Sequence, residues 1–146
     1  MSRHAFLISI RPRFAEMIFA GSKTVELRRI CPKVSPGDLA LVYASSPAME
    51  LRGGFEVGKI LTASPSALWE KIGKKSGVTR AEFFTYFAGR KQAHALIIKR
   101  AWRLTNPVCL KTLRRHNGGF RPPQNFHYLR RTDSSFLNSL AISQNN

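Results

Sequence analysis

The segment that most restricts the fold is residues 21–29, GSKTVELRR, where four charged side chains interrupt a pattern typical of a buried strand. Its first glycine follows an apolar run with helical spacing and suits the position after a helix, because a left-handed backbone costs glycine little. The following residues alternate strictly, so Val25 and Leu27 face a core. Glu26 and Arg28 face the opposite side. The segment therefore predicts a helix, a reversal of the chain and a short strand.

The polar side of this strand is a candidate ligand site. Side chains two apart on a strand lie roughly 7 Å from each other, so Glu26 and Arg28 can flank a ligand, and Lys23 can lean over it from the turn. Such a group can hold a base edge and a phosphate together. The alternative is a solvated strand face with a weak ion pair, which contributes about 0–1 kcal/mol.

The rest of the chain predicts short strands separated by two helices. Residues 5–10 are predicted to form an apolar strand, and Ser9 and Arg11 lie at its end. A helix with proline at its first position follows. The N-terminus of a helix attracts anions, so these two residues can take part in an anion site. Simple packing or capping is the alternative role for Ser9. A type II turn over residues 35–38 leads into a strand, and the glycines at 53 and 54 indicate the bends that barrels need. Capped helices are predicted near residues 64–73 and 79–89, followed by a long strand over residues 93–104.

The net charge of +16 over 146 residues indicates a polyanionic partner. Residues 1–73 carry 10 Lys and Arg against 6 Asp and Glu, whereas residues 74–146 carry 14 against 2. Nucleic acid is favoured over membrane, because the cations are interleaved with aromatic residues and no basic amphipathic helix has a broad apolar face. A solubilising surface is the alternative.

The remaining features favour a soluble, cytoplasmic protein of one domain. Neither a signal peptide nor a membrane span is predicted, because no apolar run approaches 18 residues. The two cysteines and four histidines lack metal-ligand spacing, so no cofactor and no metal is expected.

Most of the excess charge lies beside aromatic residues in the second half of the chain. Trp102 is flanked by Arg100 and Arg103, so a base can stack on the indole while the cations hold phosphates. Residues 111–131 mix basic, aromatic and flexible residues, a texture typical of nucleic-acid binding. Residues 133–146 are expected to form a short helix or a frayed tail.

The motif Gly-x-Lys-x-x-Glu-x-Arg, placed after a helix and before a Pro-Gly-Asp turn, resembles the signature of the ASCH domain, a branch of the PUA-like superfamily. Further similar pieces occur in the same order: residues 7–12 (LISIRP), 42–47 (VYASSP), 54–58 (GFEVG), 68–71 (LWEK) and 122–126 (PPQNF). The resemblance implies an α+β fold, a PUA-like mixed β-barrel of about five to six strands with flanking helices. It also implies a single domain over residues 1–132, and it places Tyr43, Ser45 and Ser46 beside the cleft.

The function favoured by this reasoning is nucleic-acid binding, with RNA favoured over DNA. Lys23 and Arg28 would hold phosphate or a base carbonyl, and Glu26 would accept a hydrogen bond from a base amino group. The full set of candidate binding residues is Ser9, Arg11, Lys23, Glu26, Arg28, Arg29, Ser45, Ser46, Arg100, Trp102, Arg114, Arg115, Arg121 and Gln124.

Two other classes of function remain open. Some ASCH proteins remove the acetyl group from acetylcytidine with the signature lysine, which Lys23 matches, but Glu26 stands where that branch has threonine and residues 75–78 hold no matching glutamate. Ribonuclease action would use Lys23 to stabilise the phosphorane and Tyr43 or Glu26 to move protons. Both of these activities belong to the class of RNA-processing enzymes. The other class is a DNA-binding regulator, although no recognition-helix signature is present.

Overall fold

A computed structural model describes residues 4–129, 136–137 and 139–140, and its regular elements in that part of the chain are six strands and four helices. The strands are β1 (Ala5–Ile10), β2 (Val25–Arg28), β3 (Leu39–Ala44), β4 (Glu50–Ala63), β5 (Ala93–Cys109) and β6 (Phe126–Tyr128). The helices are α1 (Pro12–Ala20), α2 (Pro65–Ile72), α3 (Arg80–Tyr86) and α4 (Leu110–His116), and a single 3₁₀ turn (Gly73–Lys75) follows α2.

The strands form one mixed sheet in the order β2-β5-β4-β3-β1-β6. β1 and β3 are parallel, and the other neighbouring strands are antiparallel. The sheet curves into a half-barrel, with β2 and β6 at its edges within the part of the chain that the structure describes. The predicted α+β class, the mixed sheet of five to six strands and the flanking helices are confirmed.

Local signals place the ends of several elements where the sequence predicts them. Gly21 ends α1 with a left-handed backbone at φ 85°. Gly37 also has a left-handed backbone, at φ 96°, in the turn before β3. α3 begins with a capping box in which the side chains of Thr79 and Glu82 each accept a hydrogen bond from the backbone N–H of the other residue.

Gly53 and Gly54 allow β4 and β5 to approach closely. A Cβ at Gly53 would lie 2.0 Å from the carbonyl oxygen of Trp102, and one at Gly54 would lie 2.5 Å from the indole ring. The register of this pair shifts at three places, which bends the ribbon. β5 continues to Cys109, beyond the predicted end near residue 104, because its second half still pairs with β4.

Alternation along the central strands divides the core. Phe6, Ile8 and Ile10 pack toward α1, whereas Leu7 faces the opposite side of the sheet. A third cluster holds the aromatic residues of α2 and α3 together with the apolar side chains of β2. Within the described ranges, none of the helices has the length and apolar character needed to cross a membrane.

The C-terminal helix or tail predicted for residues 133–146 lies mostly outside the described residues. Of the four described residues in that range, Leu137 is buried in the cluster on the Leu7 side of the sheet.

Candidate functional site

A cleft of about 560 Å³ opens over the polar side of β2, and we call it the lysine cleft. Its charged wall consists of Lys23, Glu26, Arg28 and Arg29. Leu27 of β2 also lines the cleft. The other walls come from the end of β1, from α1, and from α3 and the residues before it: Ser9, Ile10, Arg11, Phe14, Val78, Ala81, Glu82, Thr85 and Tyr86. The volume falls within the range of small-molecule and nucleotide sites.

Glu26 joins the two cations of the lysine cleft. Its Oε1 lies 3.4 Å from Lys23 Nζ, and its Oε2 accepts a hydrogen bond of 2.8 Å from the Arg28 guanidinium. The same guanidinium nitrogen donates to the carbonyl of Ser9 at 3.0 Å. These contacts fix the three side chains relative to the end of β1.

All four residues of β2 are buried, so Glu26 and Arg28 do not lie on a solvated face. Val25 and Leu27 pack against α2 and α3. The opposite side of the strand is covered by α1 and by the end of β1, which brings Phe14 within 5.3 Å of the Lys23 ammonium. Burial strengthens each electrostatic contact but removes hydration from the charges.

The Lys23 ammonium is held from a distant part of the chain. Its Nζ donates a hydrogen bond of 2.6 Å to the carbonyl oxygen of Ser76, which follows the 3₁₀ turn. Burial lowers the pKa of Lys23 from its usual value, the Glu26 carboxylate opposes this shift, and Arg28 adds to it. The amine therefore loses its proton at a lower pH than a solvated lysine does.

A second cleft, of about 400 Å³, adjoins the first, and we call it the serine cleft. It forms where the parallel strands β1 and β3 end side by side, and it is lined by Ser9, Arg11, Tyr43, Ser45, Ser46, Met49, Pro122, Pro123 and Gln124. Ser9 and Arg11 line both clefts. The Ser9 hydroxyl donates to the carbonyl of Pro123, and the N–H of Ser45 donates to the carbonyl of Ile10.

Tyr43 is almost fully buried at the edge of the serine cleft. Burial raises the pKa of its hydroxyl, and the charge of Arg114 opposes this shift. The hydroxyl oxygen has no hydrogen-bond partner among the described residues, and neither does Arg28 Nε beside the lysine cleft. Each cleft is thus bordered by a residue with an unsatisfied polar atom, a state that costs about 1–3 kcal/mol per group.

The other predicted binding residues lie in two places. Arg29 is on the rim of the lysine cleft. Its Nε donates to the carbonyl of Tyr86 at 2.7 Å, and its guanidinium carbon lies over the Tyr86 ring, 4.4 Å from the ring centroid. The remaining predicted residues line neither cleft: Arg100, Trp102, Arg114, Arg115 and Arg121.

Those residues outside the clefts differ in their surroundings. Arg100 pairs with the buried Glu56, and Trp102 is half-buried over Gly54. Arg114 Nε donates to the carbonyl of Phe120 at 3.3 Å. Arg115 and Arg121 are exposed.

The carbonyl of Ser76, which holds Lys23 but lines neither cleft, was missed from the sequence, and so were several lining residues, among them Tyr86 and Met49. Ser76 acts through its carbonyl, so its side chain carries no signal. Tyr86 and Met49 lack any motif of their own, although Tyr86 lies in the predicted helix that covers β2. No three of the described His, Cys, Asp and Glu residues form a group that could hold a metal ion.

Comparison with known proteins gives consistent matches. The family model described as ASCH domain matches residues 8–110. The ASCH domain-containing ribonuclease of Zymomonas mobilis is 30% identical over 138 residues, which are 94% of this chain and 93% of that protein. The crystal structure of ASCH from Zymomonas mobilis has a TM-score of 0.88 at 29% identity, covering 95% of this chain and 96% of that chain. The large ribosomal subunit protein uL22 of Ureaplasma parvum is 30% identical over 127 residues, and the chain spans 39% of its length.

Proposed function

This chain belongs to the ASCH domain family, and we propose that it binds RNA in the lysine cleft. The observation that carries the proposal is the buried group of two cations and one carboxylate at the wall of that cleft. With Lys23 protonated, this group has one positive charge in excess; Arg11 and Arg29 add two more at the rim, and the Glu82 carboxylate removes one. A phosphate is attracted to such a cleft because low local dielectric and several cations act together.

The carboxylate gives the lysine cleft a capacity beyond charge attraction. Each oxygen of Glu26 already contacts one cation, but a carboxylate has about four acceptor sites, so it can still accept from a base amino group. The Arg28 guanidinium, fixed by Glu26 and the Ser9 carbonyl, can donate to phosphate or to a base carbonyl. We assign the exposed Arg115 and Arg121, with half-buried Trp102, to an extended footprint on the RNA backbone and bases.

RNA cleavage is the second candidate function, and two observations favour it. The Zymomonas mobilis relative, which matches almost the whole chain, is named a ribonuclease. The lowered pKa of Lys23 also raises the fraction of neutral amine, which can accept a proton from a ribose 2′-hydroxyl, while Arg28 stabilises the charge that develops on the phosphate. Tyr43, at the edge of the adjoining cleft, is then the candidate proton donor.

The test is incubation of the purified protein with labelled single-stranded RNA, single-stranded DNA and duplex DNA, with binding and integrity measured in the same samples. We expect RNA to bind more tightly than either DNA, and the affinity to fall as salt rises, with a log–log slope of about −0.7 for each neutralised phosphate. Tighter binding of duplex DNA would contradict the proposal and favour a DNA-binding regulator.

Lys23→Met tests cleavage, and binding is measured in the same samples so that a loss of cleavage is told apart from a loss of binding. Lys59→Met is the control, because Lys59 is exposed on β4 and lines neither cleft. If the protein is a ribonuclease, Lys23→Met should lower cleavage about 100-fold or more and the control should not. Intact RNA in every sample, with binding retained, would leave RNA binding as the function of the cleft.

A further inference from the structure

The lysine cleft and the serine cleft meet at Ser9 and Arg11, and the two sides of this junction differ in chemistry. The lysine cleft carries charged groups, whereas the serine cleft is lined by hydroxyls, an amide, prolines and a thioether, with no carboxylate among its lining residues. Ser45, Ser46 and Gln124 can each donate and accept hydrogen bonds, so they suit the edge of a neutral base.

Arg11 is the cation at the junction. It is exposed, and among the described residues its side chain forms no ion pair with a carboxylate. It also occupies the N-cap of α1, where the helix dipole and the backbone N–H of Arg13 favour an anion; Pro12 has no N–H, and the N–H of Phe14 donates to the Arg11 carbonyl. Arg13, two residues later, is instead paired with Glu82 at 3.4 Å.

Met49 supplies the apolar side of the serine cleft. Its backbone has φ 54°, a left-handed conformation that is uncommon for a residue with a side chain, and its side chain is 41% exposed. Hydrogen bonds fix this conformation, because the Met49 N–H donates to Ser45 and the Met49 carbonyl accepts from Leu110. The exposed thioether on this fixed backbone, in a cleft that two prolines also line, offers a contact surface for an aromatic base.

We propose that the two clefts bind two successive nucleotides of one RNA strand, with the connecting phosphate on Arg11 and the N-terminus of α1. This rests on the proposed RNA-binding function and extends it from one nucleotide to a dinucleotide step. The lysine cleft holds the nucleotide recognised by Glu26 and Arg28. The serine cleft holds its neighbour, with the base against Met49 and its edge on the serine hydroxyls and Gln124. The unsatisfied Tyr43 hydroxyl and Arg28 Nε place an unmet hydrogen-bonding group on either side of the junction.

The experiment compares nucleoside 5′-monophosphates with a panel of 2′-O-methyl dinucleoside monophosphates, which lack the 2′-hydroxyl needed for cleavage. The dinucleotides carry less charge than the mononucleotides, so simple charge attraction favours the mononucleotides. If both clefts are used, the preferred dinucleotide should bind about 10-fold or more tightly than any mononucleotide. Titration calorimetry or competition against labelled RNA measures this ratio.

Two variants and one control test whether the higher affinity for the dinucleotide depends on the junction between the two clefts. Arg11→Ala should remove the dinucleotide advantage, whereas Arg13→Ala, which removes the same charge from the same helix end, should change it by less than about 2-fold. Met49→Gly, which suits a positive φ, should weaken dinucleotide binding by a larger factor than mononucleotide binding.

Two results overturn the dinucleotide proposal: dinucleotides that bind no better than mononucleotides, or equal effects of Arg11→Ala and Arg13→Ala. If a longer single-stranded RNA still binds in that case, the proposed RNA-binding function stands and only the two-cleft arrangement fails. If the longer RNA does not bind either, both proposals fail.

Discussion

The buried charges of the lysine cleft contrast with the exposed charges at the second half of β5. In the cleft, Glu26 lies between two cations whose side chains are 2% and 11% exposed. On β5, Arg103 pairs with Glu16 of α1 at 3.1 Å, and Arg52 of β4 contacts the same carboxylate at 3.0 Å. The ion-pair distances in the two groups are similar, but the side chain of Glu16 is 50% exposed, so the two groups differ in their surroundings.

This difference shows why distance alone does not identify a site in so basic a protein. Water screens the Glu16 group, and exposed pairs of this kind contribute about 0–1 kcal/mol. The Glu26 group has lost most of its hydration, so each member depends on its partners. Burying two cations and a carboxylate opposes folding unless their contacts offset the loss of water, and this cost is one reason why we propose a functional role for the buried group.

The largest expected effect comes from removing one carboxylate in each region. Glu26→Gln leaves two buried cations without their counter-charge, and we expect the free energy of unfolding to fall by about 3–5 kcal/mol. Glu16→Gln should cost less than about 1 kcal/mol. Urea denaturation of the two variants measures the difference, and equal costs would show that burial does not separate the two regions.

Trp102 lies within the exposed basic stretch, but its ring packs on Gly54 and the buried cluster around it. We expect Trp102→Ala to lower the free energy of unfolding by about 3 kcal/mol. RNA affinity measured on the folded fraction then tests the stacking role, for which a loss of about 1–3 kcal/mol is expected. Unchanged affinity would restrict Trp102 to packing.

Arginine substitutions compare the two regions in RNA binding. Arg28→Ala should cost about 2–3 kcal/mol of binding, because a fixed, buried donor to a charged group is lost. Arg115→Ala should weaken binding to all RNA sequences by a similar small factor and lower the salt slope by about 0.7. Affinities across a salt series measure both effects, and a larger loss for Arg115 would move the main site to α4.

The smallest expected effect is the pH dependence conferred by Lys23. Its pKa in the folded protein lies below the usual value of 10.5, so in the interval between the two values the unfolded chain binds a proton that the folded chain lacks. The free energy of unfolding should therefore rise with pH across that interval, by up to about 1.4 kcal/mol per pH unit, relative to Lys23→Met. A constant difference between the two proteins up to pH 10.5 would mean that Lys23 stays protonated.

Features that depend on near neighbours were predictable from the sequence. The turn at Gly37, the end of α1 at Gly21 and the capping box of α3 follow from residues three or four positions apart. The alternation in β2 also predicted which side chains share a face. It did not predict that both faces are buried, because the cover over Glu26 and Arg28 comes from α1 and the end of β1.

Features that depend on distant partners were not predictable. Lys23 is held by a backbone carbonyl at residue 76, and such a contact leaves no trace in side-chain identity. The basic, flexible texture of residues 111–131 concealed α4, although Leu110 and Leu113 have helical spacing and are buried. The position of Trp102 depends on Gly54, which lies opposite it in β4. This pairing follows from the register of β4 and β5, which the sequence alone does not give.

The place of β2 at the edge of the sheet has a consequence for synthesis on the ribosome. Its strand partner is β5, with Val25 opposite Ile97, so the segment that carries Glu26 and Arg28 cannot join the sheet until the chain through residue 97 has left the exit tunnel. β1, β3 and β4 have all their mutual contacts earlier. We therefore expect the cations to remain hydrated in the nascent chain until β5 arrives, and the lysine cleft to form late in folding.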